Sequence, residues 1–347
     1  MTGTQVNKGE DIASKPNARG NDEGLGLESM GHFFFSDPDQ MAQTIPGGQY
    51  GILPLPKKAF AGEFLALYLG NGMALRSARF RNGVNARIFL EQEKTISFFL
   101  PNVVGRQLIL NGKPIDRGVV HLSAATAFHS ARTGPAHEVG RITVELESMR
   151  RVLDIQLRGK HDFLRSETLL CTDPRHVSTL HALHRKSAAL YESIHRQTSP
   201  NPRIWQQARV QLHDAILTEL IAMLSSGRME REHRSSRFQT ASMARIERHI
   251  DEHAFSSLGL QELCMATELS LRTVERVIRS RTGFTALNYL KMRRLAFARE
   301  ILLHPTDLTT VADAALTVGL LHFGRFSSAY RNMYGELPSE TLRRSKA

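Results

Sequence analysis

Six polar residues set close together carry the most telling chemistry in this chain: Arg272, Thr273, Glu275, Arg276, Arg279 and Arg281. Val274, Val277 and Ile278 are interleaved with them at i, i+3 and i+4, the spacing of one buried face of an amphipathic helix. The six polar residues are then expected outside. Four arginines within ten residues on an exposed helix suit the major groove of a duplex. A guanidinium can bond both acceptors of a guanine edge, or it can clamp a phosphate. An ordinary surface helix of a bundle would carry the same residues, so the neighbouring elements have to decide.

Upstream, Leu260 and Leu263 face one way on a short helix, and Cys264 offers a small side chain where two helices cross. Leu269 plugs the turn and Ser270 is a good N-cap for the arginine-bearing helix. This is a helix-turn-helix pattern. A second unit follows about 50 residues later. Val311–Leu320 has apolar residues at helical spacing, a small Ala315 and a turn residue, Gly319. The next helix, about His322–Met333, buries Phe326, Tyr330 and Met333, and exposes His322, Gly324, Arg325, Ser328 and Arg331. Gly335 and Pro338 end it. A long helix, about Ala286–Leu303, joins the units. The expected DNA-contact set is Ser270, Arg272, Thr273, Glu275, Arg276 and Arg279 from the first unit, with His322, Gly324, Arg325, Ser328 and Arg331 from the second.

The 347 residues suggest two or three domains, and 41% apolar residues suffice for buried cores. The net charge is +11, from 45 basic and 34 acidic residues, which favours a polyanionic partner. Residues 241–347 hold 15 basic and 11 acidic residues, so the argument for nucleic acid rests on where the charges sit. No apolar run reaches ~18 residues, so no membrane helix is expected. No secretion signal is expected either. The two cysteines, Cys171 and Cys264, cannot build a disulfide scaffold or a four-cysteine zinc site, and they fit a reducing, cytoplasmic setting.

The rest of the chain divides by composition. Residues 1–35 read as a loose tail. Residues 36–226 read as a β-rich domain completed by helices. Within it, short β-rich runs recur at Phe64–Leu69, Ala86–Leu90, Thr95–Leu100, Gln107–Leu110, Val119–Leu122 and Ile142–Leu146. Asn71-Gly72, Asn82-Gly83 and Asn111-Gly112 lie between such runs as hairpin signals. A small antiparallel barrel or jelly roll is expected. Two helical stretches, Asp173 to about His195 and a second around Trp205–Leu224, can form a hairpin beside it or a dimer seam. Residues 227–240 read as a charged linker, and 241–347 as the DNA-binding domain. The fold class is α+β: an N-terminal β-barrel (cupin-like) domain with a helical hairpin, then an all-α tandem helix-turn-helix domain.

The C-terminal stretch resembles the DNA-binding domain of the AraC/XylS transcription regulators. The matching features are Arg272-Thr273-Val274 with Arg276, Thr282-Gly283, Tyr289-Leu290, Arg294-Leu295 with Ala298, Gly319, Phe326, Tyr330, and Gly335 with Pro338-Ser339. The resemblance covers about 100 residues. It implies two recognition helices on one rigid monomer, entering successive major grooves. It further implies a small-molecule effector sensed by the barrel, a homodimer, and RNA polymerase as a partner of an activator. The layout distantly resembles the ethanolamine-utilisation regulators of that family. Departures weaken base reading by the second unit: Phe323 and Gly324 stand where the family often has polar readers, Ser328 replaces a frequent Arg, and Leu337 replaces the usual Ser or Thr. Arg325 and Arg331 are therefore expected to hold phosphates.

No catalytic triad, phosphate loop, metal site or cofactor is expected. His121, His129 and His137 lie eight residues apart and read as structural or surface histidines. His176, His181 and His184 share one helical stretch but include no i,i+4 pair, and read as a solvated face. Two alternatives remain: a DNA-binding regulator without an effector, and a DNA-repair enzyme carrying this domain, which would need a reactive cysteine.

Overall fold

The computed structural model describes residues 31–45, 48–55, 60–90, 95–100, 108–115, 118–123, 128–157, 168–195, 202–231, 234–256 and 258–346. The expected tail lies outside these residues up to Met30.

The N-terminal part builds two antiparallel sheets. Its strands are β1 (Gly31–Phe35), β2 (Gly48–Pro54), β3 (Gly62–Gly70), β4 (Met73–Phe80), β5 (Val84–Leu90), β6 (Thr95–Leu100), β7 (Leu108–Leu110), β8 (Lys113–Ile115), β9 (Val119–Ser123), β10 (Phe128–Arg132), β11 (His137–Glu145), β12 (Thr168–Cys171) and β13 (Arg228–Arg231). The larger sheet has the order β1-β3-β4-β11-β6-β9-β12-β13 and the smaller one β2-β5-β10-β7-β8. Both orders are open, and no sheet closes on itself among the described strands. Helix α1 (Pro38–Thr44) sits between β1 and β2 and is N-capped by Asp37.

Alternation explains how the larger sheet is buried on both faces. On β3, Leu65, Leu67 and Leu69 join one core while Phe64 and Ala66 join another. The first core packs against α2 (Leu146–Leu157), α3 (Pro174–His195) and α4 (Pro202–Ser226). Helices α3 and α4 form a hairpin, with Tyr191 and Trp205 meeting edge to face at 5.3 Å. The second core joins Phe80 of the larger sheet to Ile52 and Val84 of the smaller one.

Two of the three Asn-Gly pairs make the expected hairpins, with positive φ at both residues of Asn71-Gly72 and of Asn111-Gly112. Asn82-Gly83 instead carries the chain from the larger sheet to the smaller one. A Cβ at Gly83 would lie 2.5 Å from the Thr133 carbonyl, so close strand passage is what this glycine permits.

Helix α5 (Arg234–Glu252) follows β13 closely, so the stretch 227–240 contains a strand paired to β12 and the first turns of a helix. The C-terminal helices are α6 (Leu260–Thr267), α7 (Leu271–Thr282), α8 (Ala286–Leu303), α9 (Val311–Thr317), α10 (Phe323–Tyr334) and α11 (Pro338–Lys346). They share one apolar core, to which the smaller sheet adds Leu53, Phe128 and Phe89 from its outer face.

Ionic clusters also join the two parts. Arg87 of β5 bonds Asp251 of α5 at 2.7 and 2.5 Å. Asp251 in turn accepts from Arg293 of α8 at 2.5 Å, and Arg293 reaches Glu247 at 2.5 Å. Tyr289 donates to the same Glu247 carboxylate. Arg299 of α8 meets Asp37 and, at 2.9 Å, Asp39 from the N-terminal part.

Candidate nucleic-acid interface

The first helix-turn-helix unit is α6, its turn and α7. Glu262 accepts from the Gly259 N–H at 2.6 Å, closing the start of α6. The turn passes through Glu268 at φ 54°, ψ 31°, the left-handed region. Leu269 is buried there, and Ser270 caps α7 by accepting from the Thr273 N–H. Val274, Val277 and Ile278 are fully buried. Arg272, Arg276 and Arg279 fall at i, i+4 and i+7 and are exposed, with Ser270 exposed and Thr273 half-buried beside them.

Two members of the expected outer face are differently engaged. Arg281 is buried, and its Nη2 donates to Thr240 Oγ1 at 2.7 Å. It stands three residues after Ile278 and seven after Val274, so helical rotation returns it to the core side. Glu275 is half-buried and accepts from the Ala286 N–H at 2.8 Å, tying α7 to the start of α8, while its other oxygen lies 3.2 Å from Arg279. Arg272 and Arg276 form no ion pair among the described residues.

The second unit is α9, its turn and α10. Thr310 and Asp313 form a reciprocal cap on α9. The turn uses Gly319 at φ 72°, and the Leu320 N–H returns to the Ala315 carbonyl at 2.8 Å. Gly319 adopts this conformation without the Cβ penalty that Glu268 bears in the first unit. Phe326, Tyr330, Met333 and Tyr334 are buried, and His322, Gly324, Arg325, Ser328 and Arg331 are all exposed. The sequence reading did not single out Leu271 and Leu321, which are exposed at the starts of the two outer helices, as is Phe323. Their apolar character hid them, since apolar residues are ordinarily assigned inward.

Helix α8 spans about 27 Å at 1.5 Å per residue and packs against α7, α9, α10 and α11. Its Tyr289, Leu290, Leu295, Ala298 and Leu302 belong to the common core, so both units are fixed to one rod.

Residues 263–344 match the family described as a helix-turn-helix domain. The chain is 36% identical over 99 residues to the XylDLEGF operon transcriptional activator 2 of Pseudomonas putida, covering 28% of this chain and 63% of that protein. It is 35% identical over 141 residues to the XylDLEGF operon transcriptional activator of the same organism, covering 40% of this chain and 43% of that protein. Through this domain the chain belongs to the AraC/XylS family. A probable AraC family transcriptional regulator from Rhodopseudomonas palustris CGA009 is similar in structure, with 30% identity, a TM-score of 0.28, and coverage of 30% of this chain and 97% of that one. The matched portion thus spans less than two thirds of each of these XylDLEGF activators, 63% of one and 43% of the other.

In this AraC/XylS chain, an apolar cavity lies between the two sheets, lined by Ile52, Phe64, Phe80, Ile88 and Phe99. Arg76 of β4 and Arg141 of β11 also line it. They are direct cross-strand partners, and only 6% and 7% exposed. Burial, then Arg141, lowers the Arg76 guanidinium to about 10. Arg141 bonds the Tyr50 hydroxyl at 3.1 Å.

The histidines expected on a solvated face lie elsewhere. His181 and His184 are buried, and His184 Nε2 meets the Arg76 carbonyl at 3.1 Å, because α3 is packed between the larger sheet and α4. His176 is half-buried and bonds Glu219 at 2.7 Å. His121, His129 and His137 are buried. An i,i+4 histidine pair, His249 near the end of α5 and His253 just beyond it, was not singled out from the sequence.

Proposed function

We propose that this chain is a one-component transcription activator that binds duplex DNA through α7 and α10 and couples that binding to a small molecule between its sheets. One observation carries the DNA reading: two arginine-bearing outer helices are mounted on a single rod, α8. The activator names of the Pseudomonas putida proteins support it. Arg272, Arg276 and Arg279, with Ser270 and Thr273, read base edges, and Glu275 orients Arg279. In the second unit Arg325 and Arg331 hold phosphates, with His322, Gly324 and Ser328 at the same surface.

Residues 36–226 serve as the sensing and dimerising part, 227–240 as the connector and 241–347 as the DNA-binding domain. Two sheets facing across an apolar cavity support the jelly-roll, cupin-like reading of the sensor. Like charges directly opposite on paired strands are destabilising. Arg76 opposite Arg141 inside an apolar cavity therefore supports an effector with an apolar body and an anionic group. The helical hairpin α3–α4 supplies a homodimer seam, RNA polymerase is the partner that activation requires, and the cytoplasm is the compartment. A repair enzyme would need a reactive thiol; burial pushes the Cys264 thiol up, which disfavours the thiolate.

The test is selection of duplexes from a random pool by the full chain. Enrichment of one sequence class over random competitor at moderate salt is expected, and its absence would refute the reading. A thermal-shift screen of small carboxylic acids then separates an effector-dependent regulator from one without effector.

A further inference from the structure

We propose that His249, Glu252 and His253 at the end of α5 form a binding site for a divalent transition-metal ion of the zinc type. The three side chains stand at i, i+3 and i+4, two on the last turn of α5 and His253 directly after it, and their ligating atoms all lie within 4.8 Å of one another. His249 Nδ1 stands 3.9 Å from Glu252 Oε2, and the two imidazole centroids are 4.1 Å apart. Two ligands each about 2.1 Å from a tetrahedral ion sit ~3.4 Å apart, so small side-chain rotations close the site.

Two further features fit an ion here. His253 Nδ1 lies 3.0 Å from the His249 carbonyl. A carbonyl can only accept, so Nδ1 carries the proton and Nε2 is left with its lone pair. Metal-ligating histidines are commonly held in their tautomer by such a bond. The site also lies at the C-terminal end of a 19-residue helix, where the carbonyl dipoles favour a cation. Two imidazoles and one carboxylate select zinc, nickel or copper rather than magnesium or calcium. His253 and Glu252 are exposed, which leaves a coordination position for water.

The location gives the ion a structural consequence. The same last turns of α5 carry Glu247 and Asp251, which hold Arg293 and Arg87. An ion bridging His249, Glu252 and His253 staples the turn that presents those carboxylates.

The experiment is titration of the untagged full chain with Zn²⁺ by calorimetry in a non-chelating buffer, with Co²⁺ binding followed by its visible absorption. One equivalent of Zn²⁺ is expected, with His249→Gln and His253→Gln each weakening binding by about 10–100-fold or more. Glu252→Gln should weaken it less. His304→Gln is the control, since His304 bonds the Glu300 carbonyl in the same manner but belongs to no such cluster. Circular dichroism establishes that each variant is folded. No binding by the wild-type chain, or binding unchanged in both His249→Gln and His253→Gln, overturns the proposal. Equal loss in His304→Gln would overturn it as well.

Discussion

Replacing Arg276 by Ala tests the division of labour between the two outer helices most directly. Arg276 is exposed on α7 and forms no ion pair among the described residues, so its guanidinium gives up nothing when it engages DNA. A bidentate contact to a guanine edge discriminates by ~1–3 kcal/mol, so Arg276→Ala should weaken the preferred duplex by roughly 5- to 150-fold. It should relax preference at one position and leave the others intact. Arg279 differs, because it must first leave Glu275 at 3.2 Å, and an i,i+4 pair is worth about 0.3–0.5 kcal/mol. Arg279→Ala should therefore lose less. Arg331→Ala should weaken every sequence alike and lower the slope of log affinity against log salt by about 0.9. The assay is fluorescence anisotropy on the selected duplex and its single-position variants, repeated between about 50 and 200 mM salt. If Arg276→Ala and Arg331→Ala both weaken all sequences equally, the assignment of base reading to α7 and phosphate holding to α10 is wrong.

Arg293 and Glu247 are 1% and 0% exposed, so Arg293→Met should destabilise the chain by about 3–5 kcal/mol in urea unfolding. Adding Glu247→Leu should recover a good part of that loss, and strict additivity of the two substitutions would contradict the pairing. Glu268→Gly should raise the melting temperature by a few degrees, since the left-handed turn costs a non-glycine residue ~1 kcal/mol; an unchanged or lower value counts against strain there. Burial raises the Asp39 carboxyl to about 6 despite Arg299, so the folded state binds that proton more tightly than the unfolded chain does. The resulting stability is full below the unfolded value of 3.8 and is lost as pH rises through about 6, and Asp39→Asn should flatten that loss in a pH series of thermal melts. Arg141→Leu should abolish thermal shifts caused by small carboxylic acids, while the ligand-free chain gains ~0.2–1 kcal/mol from relief of the cross-strand repulsion; retained shifts would remove the anion from the effector reading.

The helix-turn-helix units were legible because their signals are local. Val274, Val277 and Ile278 fix one face, Ser270 fixes a start, and Gly319 fixes a turn, all within a few residues of one another. Arg281 was misjudged by treating the end of the helix as its exposed face, although its spacing from Val274 and Ile278 already placed it inward. Strands bounded by Asn71-Gly72 and Asn111-Gly112 were legible in the same local way. Asn82-Gly83 carries the same dipeptide, but the residue it must clear, Thr133, is 50 positions away. Pairings of that range are invisible in a single sequence. Arg76 and Arg141 become neighbours only through the β4–β11 register, and Asp39 and Arg299 only through the docking of α1 on α8. His181 and His184 look solvated on a helical wheel because the wheel does not know that α3 is covered on two sides.

The smaller sheet supplies a route by which the proposed effector would bear on DNA binding without acting through the connector. It is one strand thick, and its side chains alternate between two environments. Ile52, Ala86, Ile88 and Ala131 line the cavity. Leu53 and Phe89, their immediate neighbours, and Phe128 on the strand of Ala131 pack into the core of the DNA-binding domain, and Arg87 bonds Asp251. The end of α7 touches this sheet too: a Cβ at Gly112, in the β7–β8 turn, would meet the Ser280 carbonyl at 3.1 Å, and one at Gly283 would strike Arg132. A ligand that favours one spacing of the two sheets therefore acts on residues a single position away from the wall that supports α5 and α7. It can shift the equilibrium only by its preference for one arrangement, tenfold for each ~1.4 kcal/mol. Such preference is set by how well the cavity accommodates the ligand's charge between Arg76 and Arg141, so coupling strength should track the anionic group more closely than the size of the apolar body.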